Sequence, residues 1–317
     1  MRVKGKNMKI FITGGTGNIG QYVTLAMSEN GHEAVVLSRS PEKYPSLARK
    51  KNVTLVEGNI TDYDLLAGYV EGCDAVIHIA LGWGKEPVTM LANDTAATVN
   101  LLEIAEKAGV KKFIYTSSTA AMGQMRNVMD ETMSNLPTDL YGSTKSASEA
   151  FVLGFRKYYD GNDVSMKRNI IRPGYTYSTP PFPEQPVTQP DSRFRDIADA
   201  IVNNKPVLLT KYDGTQFISA DEIAQLYLKL VESDKNEEVY LALGNMFTSW
   251  ETIAKIYLDE YPQSESEIIL NDLGWGEKPM MFDIRKMGRD FGLSFDSQRK
   301  LHEHIKWNLN EALKSKA

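Results

Sequence analysis

The sequence predicts an α/β protein: a doubly wound parallel sheet with a second, smaller C-terminal lobe. Two observations carry this. Up to residue 172 the chain alternates short apolar runs with helical patterns, and such alternation builds right-handed βαβ units. It then changes character at 173–190, where six prolines fall in eighteen residues; no regular helix or central strand tolerates that density.

The predicted strands come in order at 9–12, 34–37, 53–56, 75–79, 113–115 and 169–171. They are rich in Val and Ile and nearly continuous, as strands buried on both faces must be. Helical patterns lie between them at 21–30, 62–70, 89–108 and 140–159. Gly31 and Gly109 stand where glycines close helix C-termini. Beyond the prolines come helical patterns at 195–202, 221–232, 249–260 and 284–291, with short strands at 207–209 and 239–243. The reading therefore divides the chain into 8–172 and 173–317, with strands and helices shared between the parts allowed. The smaller lobe covers the carboxyl edge of the sheet, where open α/β folds bind ligands.

Composition narrows the classes. The 317 residues are 42% hydrophobic and 24% charged, with a net charge of −5. There is no basic footprint, so no nucleic-acid partner is expected. No apolar run reaches the length of a membrane span, about 18 residues. Residues 1–7 are basic, but no apolar segment follows, so they read as a short tail with the fold starting at Met8. The single cysteine, Cys73, excludes an internal disulfide and suits a cytoplasmic protein.

The motif Thr13-Gly14-Gly15-Thr16-Gly17-Asn18-Ile19-Gly20 follows a strand and opens a helix. That is the context of a dinucleotide-phosphate site. The missing side chains let backbone approach a pyrophosphate, and the helix N-terminus supplies free N–H groups. Two registers fit, G-x-G-x-x-G from Gly15 and G-x-x-G-x-x-G from Gly14. Such turns also merely connect strands to helices, so the motif needs company.

Tyr141-Gly142-Ser143-Thr144-Lys145 supplies it. Of the 15 tyrosines, only Tyr141 has lysine four residues on, which places both on one helical face. A phenol with a pKa near ~10 is a poor acid/base at neutral pH; a nearby ammonium favours the phenolate and makes it usable. The pair opens the helix after the fifth strand, which ends in Tyr115-Thr116-Ser117-Ser118.

The ordered set resembles the extended short-chain dehydrogenase/reductases, the NAD-dependent epimerase/dehydratase family. It comprises Thr13–Gly20, Asp74-Ala-Val-Ile-His-Ile-Ala80, Asn100-Leu-Leu-Glu103, 113–118 with Gly123, Tyr141 to Lys145 with Glu149, Arg172-Pro173-Gly174, Phe217-Ile218 with Asp221, and Asp283-Ile284-Arg285-Lys286. The resemblance implies a Rossmann-type sheet with a smaller C-terminal substrate-binding lobe. It implies an NAD(P)-dependent oxidoreductase that dimerises through the helices at 89–108 and 140–159. Tyr141 is the implied acid/base, Lys145 lowers its pKa and holds the nicotinamide ribose, and Ser118, set by Gly123, bonds the substrate oxygen, with Ser117 the lesser choice. The family's further asparagine aligns with Asp94, and Asn93 is one residue off; the position is left unassigned.

Gly14, Gly17, Asn18, Ile19 and Gly20, with Tyr141, Lys145 and Pro173, make up the expected cofactor set together with three further segments. After the second strand an NAD site usually carries an acid on the ribose 2′-OH. Here stand Ser38, Arg39 and Ser40, which suit a 2′-phosphate, so NADP is expected over NAD. Asn59 and Ile60 resemble the adenine-contacting segment, and Ala80 lines the cofactor path.

The reaction is read from departures. The 4,6-dehydratases carry Asp-Glu where this chain has Thr119-Ala120, so a dehydratase is disfavoured. Nucleotide-sugar epimerases usually carry an asparagine and an arginine where Tyr175 and about Thr215 stand. That weakens an epimerase, although Arg193 and Arg195 offer cations for phosphate. What remains is hydride transfer to or from a carbonyl or secondary alcohol of a small sugar-like, ketone or aldehyde substrate. Trp83 and Tyr175 are expected to contact it, with Tyr177 and Phe182 adding aromatic surface. The alternatives are a nucleotide-sugar epimerase and a non-catalytic NADP sensor. His78 reads as a buried histidine and His302-Glu303-His304 as solvated helix surface, so no metal is expected.

Overall fold

The computed structural model describes residues 7–123, 128–155, 165–182, 191–277 and 281–316. Seven strands form one sheet: β1 (Lys9–Thr13), β2 (Glu33–Ser38), β3 (Val53–Glu57), β4 (Ala75–His78), β5 (Lys112–Thr116), β6 (Lys167–Pro173) and β7 (Glu238–Ala242). Their order is β7-β6-β5-β4-β1-β2-β3, and all pairings are parallel. Along β1, Ile10 and Ile12 face one helical layer and Phe11 the other, all fully buried; period two makes the alternation. The order reverses at β1, which pairs β2 on one side and β4 on the other. A crevice opens there at the carboxyl ends of the strands.

The helices are α1 (Asn18–Glu29), α2 (Tyr63–Val70), α3 (Ala97–Lys107), α4 (Leu140–Gly154), α5 (Arg193–Val202), α6 (Ala220–Glu232), α7 (Trp250–Glu260), α8 (Arg285–Phe291) and α9 (Gln298–Lys316). Gly31 and Gly109 hold φ of 91° and 72°, the left-handed backbone expected of them. The expected helix at 89–108 is not uniform. A short turn at Pro87–Met90 leads into a π-helical turn at Leu91–Ala96 before α3 begins. Residues 156–159 of the expected helix at 140–159 lie outside the described residues, as do Pro183, Pro186 and Pro190.

The chain after the prolines serves both lobes. β7 is the seventh strand of the central sheet, and α6 packs on the sheet over β5 beside α1, with Leu226 and Tyr227 buried among Val23 and Met27. The smaller lobe has its own core, where Phe194, Phe217, Trp250, Tyr257 and Ile305 meet. Tyr177 is 2% exposed in that core. It therefore adds no aromatic surface to a binding loop. The aromatic side chain sits inward because Thr176–Tyr177 pairs with Ile218–Ser219 as a short ladder.

Candidate functional site

The glycine turn joins β1 to α1 with nothing capping the helix. Gly17 occupies the N-cap position and no side chain accepts from the first turn. The Gln21 N–H is taken by Gly17 O at 3.1 Å, so the N–H groups of Asn18, Ile19 and Gly20 are open to an anion. Gly14, at φ 69°, lies so close to β4 that an added Cβ would fall 2.6 Å from Ala80 N. Gly14, Gly17, Asn18, Ile19 and Gly20 all line a crevice of about 580 Å³, whereas Gly15 packs against Val36 and Thr24. The register from Gly14 thus faces the crevice, and Gly15 serves helix–strand packing. An uncapped helix end over a cradle with no room for side chains fits a dinucleotide.

The same crevice takes in Thr116, Ser117, Ser118, Tyr141, Lys145 and Pro173. Asp139 caps α4 through Gly142 N at 2.6 Å, which fixes the first turn that carries Tyr141. Lys145 is buried and its Nζ lies 3.3 Å from Asp94 Oδ1, in a pair with almost no solvent contact. Its ammonium is 5.1 Å from the Tyr115 ring centre and 6.0 Å from that of Tyr141. Burial raises the Tyr141 pKa, the Ser118 hydroxyl opposes this, and Asp94 and Asp139 raise it further. Lys145, expected to lower it, is not among the groups that shift it, and its ammonium is paired with Asp94. Burial in turn pulls the Lys145 pKa down, against Asp94. Asp94, left unassigned from sequence, sits on the π-helical turn with its Oδ2 buried and without a partner.

The tie extends to β1. Thr13 Oγ1 lies 2.7 Å from His78 Nδ1, and His78 Nε2 lies 3.0 Å from Thr98 Oγ1. Thr98 donates to Asp94 O at 2.8 Å, and Thr13 Oγ1 accepts from Ala80 N at 3.2 Å. These roles put a proton on Nε2, because the Thr98 hydroxyl is already donating to Asp94 O and can only accept from the ring. Burial and Lys145 lower its pKa to about 3. His78 is buried and hydrogen-bonded, as expected. His304 is not solvated surface as expected; it is 2% exposed beside Tyr177 and Phe194, because α9 turns that face inward, and only His302 and Glu303 face out.

A second crevice of about 430 Å³ continues past the turn and takes in Ser38, Arg39, Tyr44, Asn59, Ile60, Ala80, and Trp83. No carboxylate lines it among the described residues. Ser40 does not line it; its backbone N–H bonds Ser38 Oγ and it opens the turn at Pro41–Lys43. Trp83 is 69% exposed and stacks on Tyr141, ring centres 5.8 Å apart at 24°. It therefore lines the second crevice and reaches the main one only through its contact with Tyr141.

At the other end, Tyr175 lines the main crevice with Asp191 and Arg193. A side pocket of about 360 Å³ beyond them adds Asp213, Thr215 and Trp250. Asp191, Asp213 and Trp250 carried no motif in the sequence; no spacing links them. Arg195 stands apart, 69% exposed beside Asp196. Phe182 packs back on the core under Lys50 rather than lining the crevice. The loop that bears Tyr175 is tied to the glycine turn: Asn18 Nδ2 reaches Thr176 O at 3.4 Å, Ser178 bonds Asn18 Oδ1, and Tyr22 donates to Thr179 O at 2.5 Å.

The profile of the NAD dependent epimerase/dehydratase family matches residues 10–242. A 3 beta-hydroxysteroid dehydrogenase/Delta 5-->4-isomerase of Mycobacterium tuberculosis is 32% identical over 158 residues, 46% of this chain and 42% of that protein. The chain thus matches under half the length of that relative. A dTDP-D-glucose 4,6-dehydratase of Bos taurus is 24% identical over 82% of this chain and 75% of its own. Among solved structures, UDP-glucuronic acid 4-epimerase from Bacillus cereus in complex with NAD superposes with a TM-score of 0.80 at 21% identity, covering 97% of this chain and 99% of that one. UDP-N-acetylglucosamine 4-epimerase from Methanobrevibacter ruminantium gives 0.79 at 20%, covering 96% and 99%.

Proposed function

Because the chain belongs to the NAD dependent epimerase/dehydratase family, we propose that it is an NADP-dependent oxidoreductase acting on a small sugar-like, ketone or aldehyde substrate. The observation that carries this is one crevice that gathers the glycine cradle, Ser118, Tyr141 and Lys145. The nicotinamide, when bound, supplies or accepts the hydride. Ser118 holds the substrate oxygen by a hydrogen bond. Tyr141, its pKa above the usual range, is a protonated phenol at neutral pH and gives its proton to that oxygen in carbonyl reduction. Lys145 holds the nicotinamide ribose. Trp83 and Tyr175 flank the substrate.

NADP is favoured over NAD by Arg39 and Ser38 in a crevice end without a carboxylate. Asn59 and Ile60 face adenine, and the N–H groups of Asn18, Ile19 and Gly20 receive the pyrophosphate. Exposed Val88, Leu91 and Phe151, on the segments around α3 and α4, support a homodimer through these helices. Among the described residues no helix is long and apolar enough to cross a membrane, and a cytoplasmic setting is part of the same proposal.

A nucleotide-sugar epimerase is the second reading, favoured by the fold shared with the UDP-sugar epimerases. A dehydratase lacks its acid pair, since Thr119–Ala121 forms a short turn capped by Ser118. An NADP sensor has no use for Ser118, Tyr141 and Lys145 together.

The test follows NADPH absorbance across aldehydes, ketones and sugars. Turnover is expected, and Tyr141→Phe should cut kcat by roughly 10²- to 10⁴-fold. A full rate in Tyr141→Phe removes its assigned role. Interconversion of UDP-sugars without net change in NADPH selects the epimerase. Tight NADP binding with no turnover on any compound selects the sensor.

A further inference from the structure

We propose that the substrate end of the crevice takes a hydroxyl-bearing substrate that carries no phosphate. This rests on the hydride-transfer reading above and deepens it.

Arg193 places its Nη2 2.7 Å from Asp191 Oδ2 and its Nη1 3.2 Å from Asp213 Oδ2. Its Nε also donates to Asp191, at 2.8 Å. The face of the guanidinium lies 4.4 Å from the Trp250 ring centre and 5.5 Å from that of Tyr175. Both ends of the donor fork are therefore engaged and one face is covered. A phosphate is recognised by such a fork when its N–H groups are free to point at it. Here the fork is spent on two carboxylates of the protein itself.

Charge supports the geometry. Among the described residues, the other cation lining the crevice is Lys145, paired with Asp94. At the substrate end one cation, Arg193, thus faces two carboxylates, Asp191 and Asp213, while Lys145 is neutralised by its own partner. A diphosphate entering this end would meet net negative charge and would have to displace Asp191 or Asp213 from Arg193. A hydroxyl meets the opposite situation. Each carboxylate has about four acceptor sites; Arg193 takes three of those on Asp191, through its backbone N–H, Nε and Nη2, but only one of those on Asp213, which is the main acceptor left open. Asp191 and Asp213 keep 26% and 30% side-chain exposure, so substrate hydroxyls can donate to them. The rings of Tyr175 and Trp250 give the carbon skeleton an apolar wall.

Calorimetry on the NADP⁺-saturated protein tests this with UDP as the probe, the dinucleotide site being already filled. The wild type should bind UDP no tighter than roughly 1 mM. Asp213→Asn should free one edge of Arg193 and tighten UDP binding by at least about tenfold. Asp191→Asn is the second variant, for use if Asp213→Asn does not fold. In NADPH assays, neutral sugars or hydroxyketones should exceed their phosphorylated counterparts in kcat/KM by at least about tenfold. Wild-type binding of UDP well below 1 mM, unchanged UDP affinity in the folded variant, or equal turnover of phosphorylated compounds overturns the inference. The last of these leaves hydride transfer standing. Absence of all turnover overturns the hydride-transfer reading instead, while the UDP titrations still decide this one.

Discussion

Lys145 places its ammonium 3.3 Å from the Asp94 carboxylate, while the Tyr141 ring centre stands 6.0 Å from the same nitrogen. The lysine four residues along the helix is thus paired with a carboxylate rather than with the phenol. Removing one partner of a buried pair strands the other. Asp94→Ala should destabilise the fold by about 3–5 kcal/mol, read by urea denaturation, and Asp94→Asn by less. Asp94 also raises the Tyr141 pKa. Carbonyl reduction needs the protonated phenol, so its rate falls as pH rises through that pKa. In Asp94→Asn the falling limb should move to lower pH. A limb that stays in place sinks the electrostatic coupling.

His78 and His304 are both held near pKa 3 by burial. In the unfolded chain each titrates near ~6.5. Between these values the unfolded state binds more protons, so stability is full above ~6.5 and falls as pH drops below it. The slope is about 1.4 kcal/mol per pH unit per histidine. From pH 7 to 5 each should cost about 2 kcal/mol. His304→Gln should lose about 2 kcal/mol less than wild type over that range in urea titrations. Equal losses would remove His304 from the account.

Two glycines of the turn should fail differently. An added Cβ at Gly20 would lie 1.9 Å from Gly14 O and 2.6 Å from Gly15 Cα, whereas at Gly17 the nearest atom is Gly14 O at 3.3 Å. Gly20→Ala should therefore lower Tm sharply or prevent folding. Gly17→Ala should keep Tm within about 4 °C and still weaken NADP binding at least about tenfold, since its methyl fills the cradle. Equal melting temperatures for the two variants would show the turn to be more plastic than this.

Arg39 lines the crevice end that lacks a carboxylate. Hydrogen bonds to a charged group contribute about 1.5–3 kcal/mol. Arg39→Ala should thus weaken NADPH binding by roughly 10- to 100-fold and leave NADH binding unchanged in fluorescence titrations. Unchanged NADPH affinity assigns the arginine to solvent.

What was legible in the sequence was local. The strand, glycine turn and α1 announce themselves by period and spacing, and so does Tyr141 with Lys145. Asp94 aligned with a known position, but its partner could not be read, because the pairing joins the π-helical turn at Leu91–Ala96 to a lysine on α4 about fifty residues on, and no local spacing encodes it. β7 was read as a strand of the smaller lobe's segment; only its pairing with β6 returns it to the main sheet. Asp191, Arg193 and Asp213 converge from the start of α5 and a separate turn, and no periodicity encodes such a meeting. His302 and His304 are two residues apart in one helix, yet one is solvated and the other buried, which composition cannot foretell.

Asn18 and Tyr22 grip the loop at Thr176, Ser178 and Thr179, and Asn18 also belongs to the helix end left open for an anion. This joint links the helix end proposed for the dinucleotide to the loop proposed for the substrate, and by linkage any change that one ligand makes in the affinity of the other must be returned by the same factor in either order of addition. Titrating each ligand with and without the other would measure that factor, and a value of one would mean the joint is rigid from the start.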